Sequence, residues 1–204
     1  MVQYFEKEMR KLVFIVLGII MVSILFALFS KKEDTEGRIK KRLDTTTTQK
    51  YRFEEEVCQV DYPSCFHVKS KDSSVVRFIM EDENDHVRIG LTCFIEPNVE
   101  GWNVNEAVDS VLSDNRHFTF KYVGSNYYVL YEDIPDNGMC SFEKTYLIAN
   151  KWYSYTLYYQ KTLEKQVERL MALVLAWHPG SIPQDEKENK AVLVEWKHQL
   201  DMQR

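Results

Sequence analysis

The stretch Ser141–Gln160, SFEKTYLIANKWYSYTLYYQ, decides how most of this chain folds. Aromatic residues crowd it, and such residues favour β-strands. Residues 149–151, Ala-Asn-Lys, break the stretch into two halves that are each long enough for a strand. The stretch therefore predicts two consecutive antiparallel strands joined by a short turn.

Strand patterns also precede this pair. SSVVRFIM and HVRIGLTCFIE flank the acidic loop EDEND and predict a hairpin, in whose second arm every other residue from Val87 to Ile95 is apolar. HFTFKYV and NYYVLYEDI predict two further strands. A strand is also expected from Tyr51, with a proline-containing turn at DYPSC before FHVKS resumes the alternation.

Two amphipathic helices are predicted among these strands. In WNVNEAVDSVLSDN, Asn103 is the expected N-cap and Glu106 the partner of a capping box, ahead of a single apolar stripe. In TLEKQVERLMALVLAWHPG, Thr162 is the expected N-cap, and Pro179 and Gly180 end the helix. The chain is therefore expected to form an α+β domain over residues 51–180, with an antiparallel sheet packed by amphipathic helices.

Residues 181–204 predict a C-terminal helical extension. Leu193, Trp196 and Leu200 form a narrow apolar seam along it. The seam favours a helix that folds back on its own domain, and the alternative is a docking helix for another chain.

The N-terminal region contains an uncharged stretch, Leu12–Phe29, of 18 residues. As a helix it would span roughly 27 Å, close to the thickness of a bilayer's hydrocarbon core. A secretory signal peptide is the alternative, but Leu28 and Phe29 stand where its cleavage site needs small residues. We therefore expect a short tail at 1–11, a transmembrane helix at 12–29 that contacts the lipid bilayer, and a charged, threonine-rich linker at 30–50.

The side of the membrane follows from two opposing observations. Three Lys and Arg residues precede the apolar stretch and six follow it closely, which favours a cytoplasmic C-terminal side. A short leader, one helix and a linker are nevertheless the usual plan for presenting a domain outside the cell. We expect a single-pass protein of the plasma (inner) membrane with an extracytoplasmic domain.

The composition and the motifs argue against several classes of function. A net charge of -5 argues against nucleic-acid binding, because phosphate neutralisation needs a cationic face. The five histidines are dispersed, and the chain has no phosphate-binding, dinucleotide-binding or serine-hydrolase motif. We therefore expect no catalytic residue, no metal and no cofactor, and do not expect an enzyme.

Two sets of residues are candidates for contacts or crosslinks. Alternation places Tyr153, Tyr155 and Tyr159 on one side of a strand. If the helices cover only one face of the sheet, some of these rings are exposed for protein binding. Trp196 of the C-terminal extension is a further candidate for this interaction surface. Cys58 and Cys65 flank the predicted QVDYPS turn, which would bring them opposite each other as a disulfide in an oxidising compartment.

The order of elements resembles the PsbP/Mog1-like domains, including the bacterial PsbP-like and DcrB-like envelope proteins. The likeness covers residues 51–180 and rests on VDYPSCFHV, NVNEAVDSVL, KTYLIANKWYSYTLYY and LEKQVERLMALVLAWH. The resemblance implies an α+β sandwich and a non-catalytic role as an adaptor, accessory subunit or assembly factor with a protein partner. A ligand-binding or catalytic domain that uses a pocket between sheet and helices is the alternative. Convergent polar groups in a pocket would favour this ligand-binding or catalytic alternative, whereas an exposed aromatic patch would favour the non-catalytic adaptor role.

We expect that Leu12–Phe29 remains attached and embedded in the membrane. Leu17→Asp and Ile20→Asp should each add roughly 2.5 kcal/mol or more to the cost of insertion and so release the protein into the soluble fraction. Membrane fractionation of the two variants tests this expectation. A mature protein whose N-terminus lies near Ser30 would contradict it.

Overall fold

A computed structural model of the chain describes residues 20–25, 35–56, 58–82, 87–113, 117–134, 137–180 and 186–203. The chain divides into two compact units, residues 1–41 and 42–204. In the first unit, residues 20–25 and 35–41 are helical. Most of the predicted transmembrane helix 12–29 lies outside the described residues, and among those described no helix has the length and apolar character needed to cross a membrane.

The second unit is α+β with antiparallel sheets and packed helices, as predicted. Its strands are β1 (Thr48–Arg52), β2 (Gln59–Pro63), β3 (His67–Lys71), β4 (Val75–Asp82), β5 (Val87–Pro97), β6 (Phe118–Val123), β7 (Tyr127–Ile134), β8 (Met139–Ile148) and β9 (Lys151–Gln160). Its helices are α1 (Val104–Ser113), α2 (Glu168–Ala176) and α3 (Glu186–Gln203). Strands β1 and β2 form a separate hairpin, and the others form a seven-stranded sheet in the order β3-β4-β5-β9-β8-β7-β6.

The β8–β9 hairpin, predicted from Ser141–Gln160, lies near the middle of the large sheet. Ala149 and Asn150 make its two-residue turn with φ angles of 47° and 62°. Two consecutive positive φ angles match the right-handed twist of the flanking strands. Strand β9 pairs with β5 and strand β8 with β7, so this local hairpin joins the two halves of the sheet.

Helix α1 covers one face of the sheet. Its N-terminus has the predicted capping box: Asn103 Oδ1 accepts the backbone N–H groups of Asn105 and Glu106, and Glu106 Oε2 accepts the N–H of Asn103. Its stripe packs on Tyr128 and Trp152 of the sheet.

The opposite face carries α2, α3 and the β1–β2 hairpin. Trp196 of α3 meets Tyr131 and Phe142 edge-on, with ring centroids 6.0 and 5.7 Å away. Tyr62 of β2 stacks on Phe78 at 4.1 Å. The C-terminal helix is therefore folded back on its own unit, and each face of the sheet is covered over part of its area.

Helix α2 begins later than predicted. Thr162 lies in a single 3-10 turn, Lys161–Leu163, and the α-helix starts only at Glu168, after Val167 with φ -95° and ψ 3°. The Lys161 N–H donates to the carbonyl of Gly138, which holds the 3-10 turn beside β8. The predicted apolar stripe is nevertheless buried from Leu163 to Leu175, because the turn and the helix both pack on the sheet.

The segment predicted as the linker 30–50 is structured over much of its length. Residues 35–45 are helical, and β1 begins at Thr48. Within the second unit, Leu43 is only 1% exposed, and Arg169 of α2 donates from Nη1 to the carbonyls of Leu43 and Asp44 at 2.7 and 3.1 Å. Tertiary partners order this polar segment, and a composition-based prediction does not include them.

We expect Leu43 to contribute to the stability of the second unit. Leu43→Ala in a fragment of residues 42–204 should lower the free energy of unfolding by about 2–5 kcal/mol, because a buried leucine leaves a cavity. Val194→Ala is the matched control, since Val194 is also a helical apolar residue but is 68% exposed. Urea unfolding that gives equal losses for the two variants would contradict this role for Leu43.

Candidate functional site

A cleft of about 480 Å³ lies between the β1–β2 hairpin and the C-terminal end of α2, with Tyr155 of β9 among its lining residues. Its polar lining comes from Lys50, Arg52, Gln59, Asp61 and His178. Its apolar lining comes from Leu173, Ala176 and Trp177. Both walls belong to the second unit, and the cleft combines charge with apolar surface.

The register of the hairpin produces the polar wall. Lys50 is paired with Asp61, and Arg52 with Gln59. Residues two apart on a strand share a face, so these four side chains lie on one side of the hairpin. The other side packs on the sheet: Tyr51 and Tyr62 both contact the ring of Phe78. The hairpin therefore presents one apolar face to the sheet and one charged face to the cleft.

Trp177 links the two walls. The backbone becomes extended at this residue, immediately after α2, while its N–H still donates to the carbonyls of Leu173 and Val174. Its indole Nε1 donates to the carbonyl of Gln59 at 2.9 Å, and its ring lies 5.5 Å from that of Tyr155. Tyr155 in turn donates its hydroxyl to the carbonyl of Asp61 at 2.7 Å. Two hydrogen bonds to the backbone of β2 therefore fix the width of the cleft.

Lys144 of β8 binds the C-terminal end of α2 from the side of the sheet. Its Nζ donates to the carbonyl of Leu175 at 2.5 Å and to Asn189 Oδ1 of α3 at 2.9 Å. The rings of Tyr127 and Tyr146 lie 4.8 and 5.0 Å from this nitrogen. Burial lowers the pKa of Lys144 to about 8, although the charge of the nearby Glu188 acts in the opposite direction.

Several polar groups of the cleft have no partner among the residues that the structure describes. Asp61 Oδ1 and His178 Nδ1 are buried, and neither has a hydrogen bond to any described residue. Lys50 and Arg52 form no ion pair within the described ranges of the chain. A buried polar atom without a partner costs free energy, and this applies to the Asp61 and His178 atoms. Lys50 and Arg52 are exposed, so their charges are accessible to a ligand.

The aromatic residues predicted as an interaction surface belong to the core. Tyr153, Tyr155 and Tyr159 are 8%, 0% and 0% exposed, and Trp196 is 2% exposed. The predicted alternation is correct, but the inference of exposure is wrong, because helices and the β1–β2 hairpin cover this face. Tyr158, on the other side of β9, is 38% exposed.

The predicted Cys58–Cys65 disulfide is also wrong. The QVDYP segment is strand β2 rather than a turn, so the two cysteines lie beyond its opposite ends. The thiol of Cys65 lies 3.7 Å from Met80 Sδ, and Cys58 is buried just before β2, with 2% of its surface exposed. All four cysteines are free thiols, and Cys93 is fully buried, as its strand face predicts.

Sequence reasoning did not identify the cleft residues. Lys50 falls at the end of the segment assigned to a linker, and Asp61 within the segment assigned to a turn. The sequence WHPG, residues 177–180, is a usable signal, because an aromatic and a histidine follow directly after a helix end. Only the pairing of β1 with β2 brings the hairpin residues to that helix end.

Comparisons with known proteins find similarity among solved structures. No protein family model matches the chain, and no curated protein matches it. The solution structure of cyanobacterial PsbP (CyanoP) from Synechocystis sp. PCC 6803 is similar with a TM-score of 0.43 and 14% sequence identity. The similarity covers 63% of this chain and 89% of that chain.

Lys144 should make stability depend on pH in the alkaline range. The unfolded chain keeps the Lys144 proton up to a pKa of about 10.4, whereas the folded chain releases it near pH 8, so this group raises the free energy of unfolding as pH rises between those values. The rise is at most about 1.4 kcal/mol per pH unit, and Lys144→Met should abolish it. Urea unfolding at pH 7.5 and 9.5 measures the difference between variant and parent.

Lys121→Met is the control for this measurement, since Lys121 is exposed on β6. The control should keep the pH dependence of the parent. An identical pH dependence in the parent and in Lys144→Met would contradict the depressed pKa.

Proposed function

We propose that this protein is a membrane-anchored, non-catalytic binding module of the cell envelope, and that the cleft beside Trp177 is its recognition site. The ligand class that fits the cleft is a small organic anion with an apolar body and at least one hydrogen-bond donor. The observation that carries the proposal is the convergence of unpartnered polar groups on one concave, partly apolar surface.

The size and lining of the cleft support a small ligand. Its volume of about 480 Å³ lies within the range of roughly 300–1,000 Å³ that is typical of ligand sites. Lys50 and Arg52 offer donors to a carboxylate or phosphate group, and guanidinium can hold such a group through two parallel hydrogen bonds. Leu173 and Ala176, which line the cleft, offer apolar surface to the rest of the ligand.

The unpartnered atoms add a second requirement. Asp61 lines the cleft, and its carboxylate can accept a hydrogen bond from an ammonium or hydroxyl group of the ligand. An α-amino acid or a hydroxy acid carries both this donor and the anionic group that the two cations favour. Such ligands therefore match the charges of the cleft better than a simple fatty acid does.

Binding is proposed rather than catalysis because Cys58, the thiol that lines the cleft, has no base as a hydrogen-bond partner among the described residues. No hydrogen bond joins it to His178, whose Nδ1 has no partner there. An activated nucleophile needs a base within hydrogen-bond reach. The alternative function is a catalytic domain. The test below distinguishes the two, because a catalytic domain would convert the probe to a product and a binding module would leave it unchanged.

The proposed cellular location is the one predicted from the sequence. The uncharged stretch Leu12–Phe29 supports a single-pass anchor in the plasma (inner) membrane. The order of a short leader, one apolar segment and then the domain is the basis for placing the domain on the extracytoplasmic side. In that position the cleft would meet solutes or the exposed groups of a neighbouring envelope protein. An accessory or assembly protein could use such a cleft to sense or hold its partner's ligand.

Calorimetric titration with three defined probes tests the proposed function: an aromatic α-amino acid, a hydroxy acid of similar size, and inorganic phosphate. The double variant Lys50→Gln/Arg52→Gln should weaken the binding of the best probe by about 10-fold or more, because each lost charge-assisted hydrogen bond is worth roughly 1.5–3 kcal/mol. Lys69→Gln/Lys71→Gln on the exposed strand β3 is the matched control and should bind as the parent does.

Two results would overturn the proposal. Equal binding by the two double variants would place recognition outside the cleft. Conversion of the bound probe to a product, detected by mass spectrometry, would favour catalysis over binding.

A further inference from the structure

The loop between β5 and α1, residues 98–103, presents apolar side chains to solvent. Val99 is 79% exposed, more than any other large apolar residue that the structure describes, and Trp102 is 37% exposed. Glu100 lies between them in sequence and is also exposed. A single exposed apolar residue needs no explanation, but two of them around a carboxylate in one turn mark a candidate contact surface.

Asn98 holds this 98–103 loop in one conformation. Its Nδ2 donates to the Trp102 carbonyl at 2.8 Å, and its Oδ1 accepts the Trp102 N–H at 3.0 Å. Its backbone N–H donates to the carbonyl of Asn150 in the β8–β9 turn at 2.9 Å. Gly101, with a φ angle of 67°, supplies the left-handed residue of the loop. Because the loop is already ordered, binding through it loses little conformational entropy.

The cleft beside Trp177 offers the complementary chemistry. Lys50 and Arg52 are exposed at its polar wall, and they outnumber its one acidic lining residue, Asp61, by two to one. A guanidinium group can hold a carboxylate through two parallel hydrogen bonds. An anion with an apolar body is the ligand class proposed for the cleft, and Glu100 with its two apolar neighbours has the same combination of charge and apolar surface.

The sheet separates the 98–103 loop from the cleft of its own molecule. The loop leads from the end of β5 into α1, which packs on one face of the seven-stranded sheet. The β1–β2 hairpin, which forms one wall of the cleft, packs on the opposite face through Tyr62 and Phe78. The loop and the cleft can therefore meet only between two copies of the chain.

We propose that the 98–103 loop of one copy binds in the cleft of a second copy, with Glu100 paired to Lys50 and Arg52. The proposal rests on the role proposed above for the cleft as a recognition site. Each copy has its loop and its cleft on different surfaces, so the contact is head-to-tail and can repeat from copy to copy. A small ligand that occupies the cleft competes with the loop, so the ligand controls the assembly of the protein.

The test uses the full chain in detergent and measures self-association by sedimentation velocity at several protein concentrations, in low and in high salt. The parent should associate, and high salt should weaken the association because it screens the charges. Glu100→Lys should weaken it by about 10-fold or more, because charge-assisted hydrogen bonds are replaced by repulsion. Asp109→Lys makes the same change of charge on the exposed side of α1, and this matched control should associate as the parent does.

A charge exchange between copies makes the test specific for this contact. Lys50→Glu/Arg52→Glu should also prevent self-association, because its cleft repels Glu100. A mixture of this double variant with Glu100→Lys should associate again, because every loop then meets a cleft of opposite charge. Association through the uncharged stretch Leu12–Phe29 would not respond in this way, since none of these substitutions changes that stretch.

The inference fails if the parent stays monomeric at every concentration, or if Glu100→Lys associates as the parent does. It also fails if the mixture does not associate although both variants keep the circular dichroism spectrum of the parent. Excess of the best small probe should dissociate the parent's assemblies, and assemblies that persist with the cleft saturated would place the contact elsewhere.

Calorimetric titration of Glu100→Lys with the small probes tests the proposed function separately, because the cleft of this variant is unchanged. Probe binding by a protein that does not self-associate would rule out the loop contact and leave the proposed function standing. Charge-dependent self-association without binding of any small probe would support the loop contact and rule out the small-ligand function.

Discussion

The buried ammonium group of Lys144 is the constraint on which the arrangement of this domain depends. It lies on β8, next to the central strand β9, and binds the Leu175 carbonyl at the end of α2 and the Asn189 side chain of α3. A buried cation is costly, and here the two hydrogen bonds and the rings of Tyr127 and Tyr146 offset much of that cost. A cation also suits the C-terminal end of a helix, where free carbonyls carry negative charge. One side chain therefore fixes both helices on the sheet.

The position of α2 determines the candidate site. The helix ends at Ala176, so the residues that follow, Trp177 and His178, reach the β1–β2 hairpin. The hairpin is held independently, by the stacking of Tyr62 on Phe78 and by the bond from the Tyr155 hydroxyl to the Asp61 carbonyl. Two separately anchored walls leave a cleft between them, and the charged face of the hairpin lines it. The proposed function depends on this geometry rather than on any single motif.

Local signals were sufficient where neighbours in sequence make the structure. The Asn103–Glu106 capping box and the turn at Ala149–Asn150 need only adjacent residues, and both appear as predicted. Local signals failed where a distant residue decides. Thr162 has the chemistry of a helix cap, yet the contact of Lys161 with Gly138 keeps that segment in a 3-10 turn. Arg169 likewise orders the Leu43 segment, which composition alone assigns to a linker.

The sequence by itself determined the strands of the seven-stranded sheet, the apolar faces of the helices and the side of β9 on which each tyrosine lies, because alternation and helical periodicity are properties of consecutive residues. Only the tertiary structure decided which of those faces meet solvent. Helices and the β1–β2 hairpin cover both sides of the sheet between them, so Tyr155 and Trp196 became core residues. The neighbours of each cysteine and the charges of the cleft were decided in the same way. They depend on contacts between residues far apart in sequence, and a local sequence pattern does not predict the free energy of such contacts.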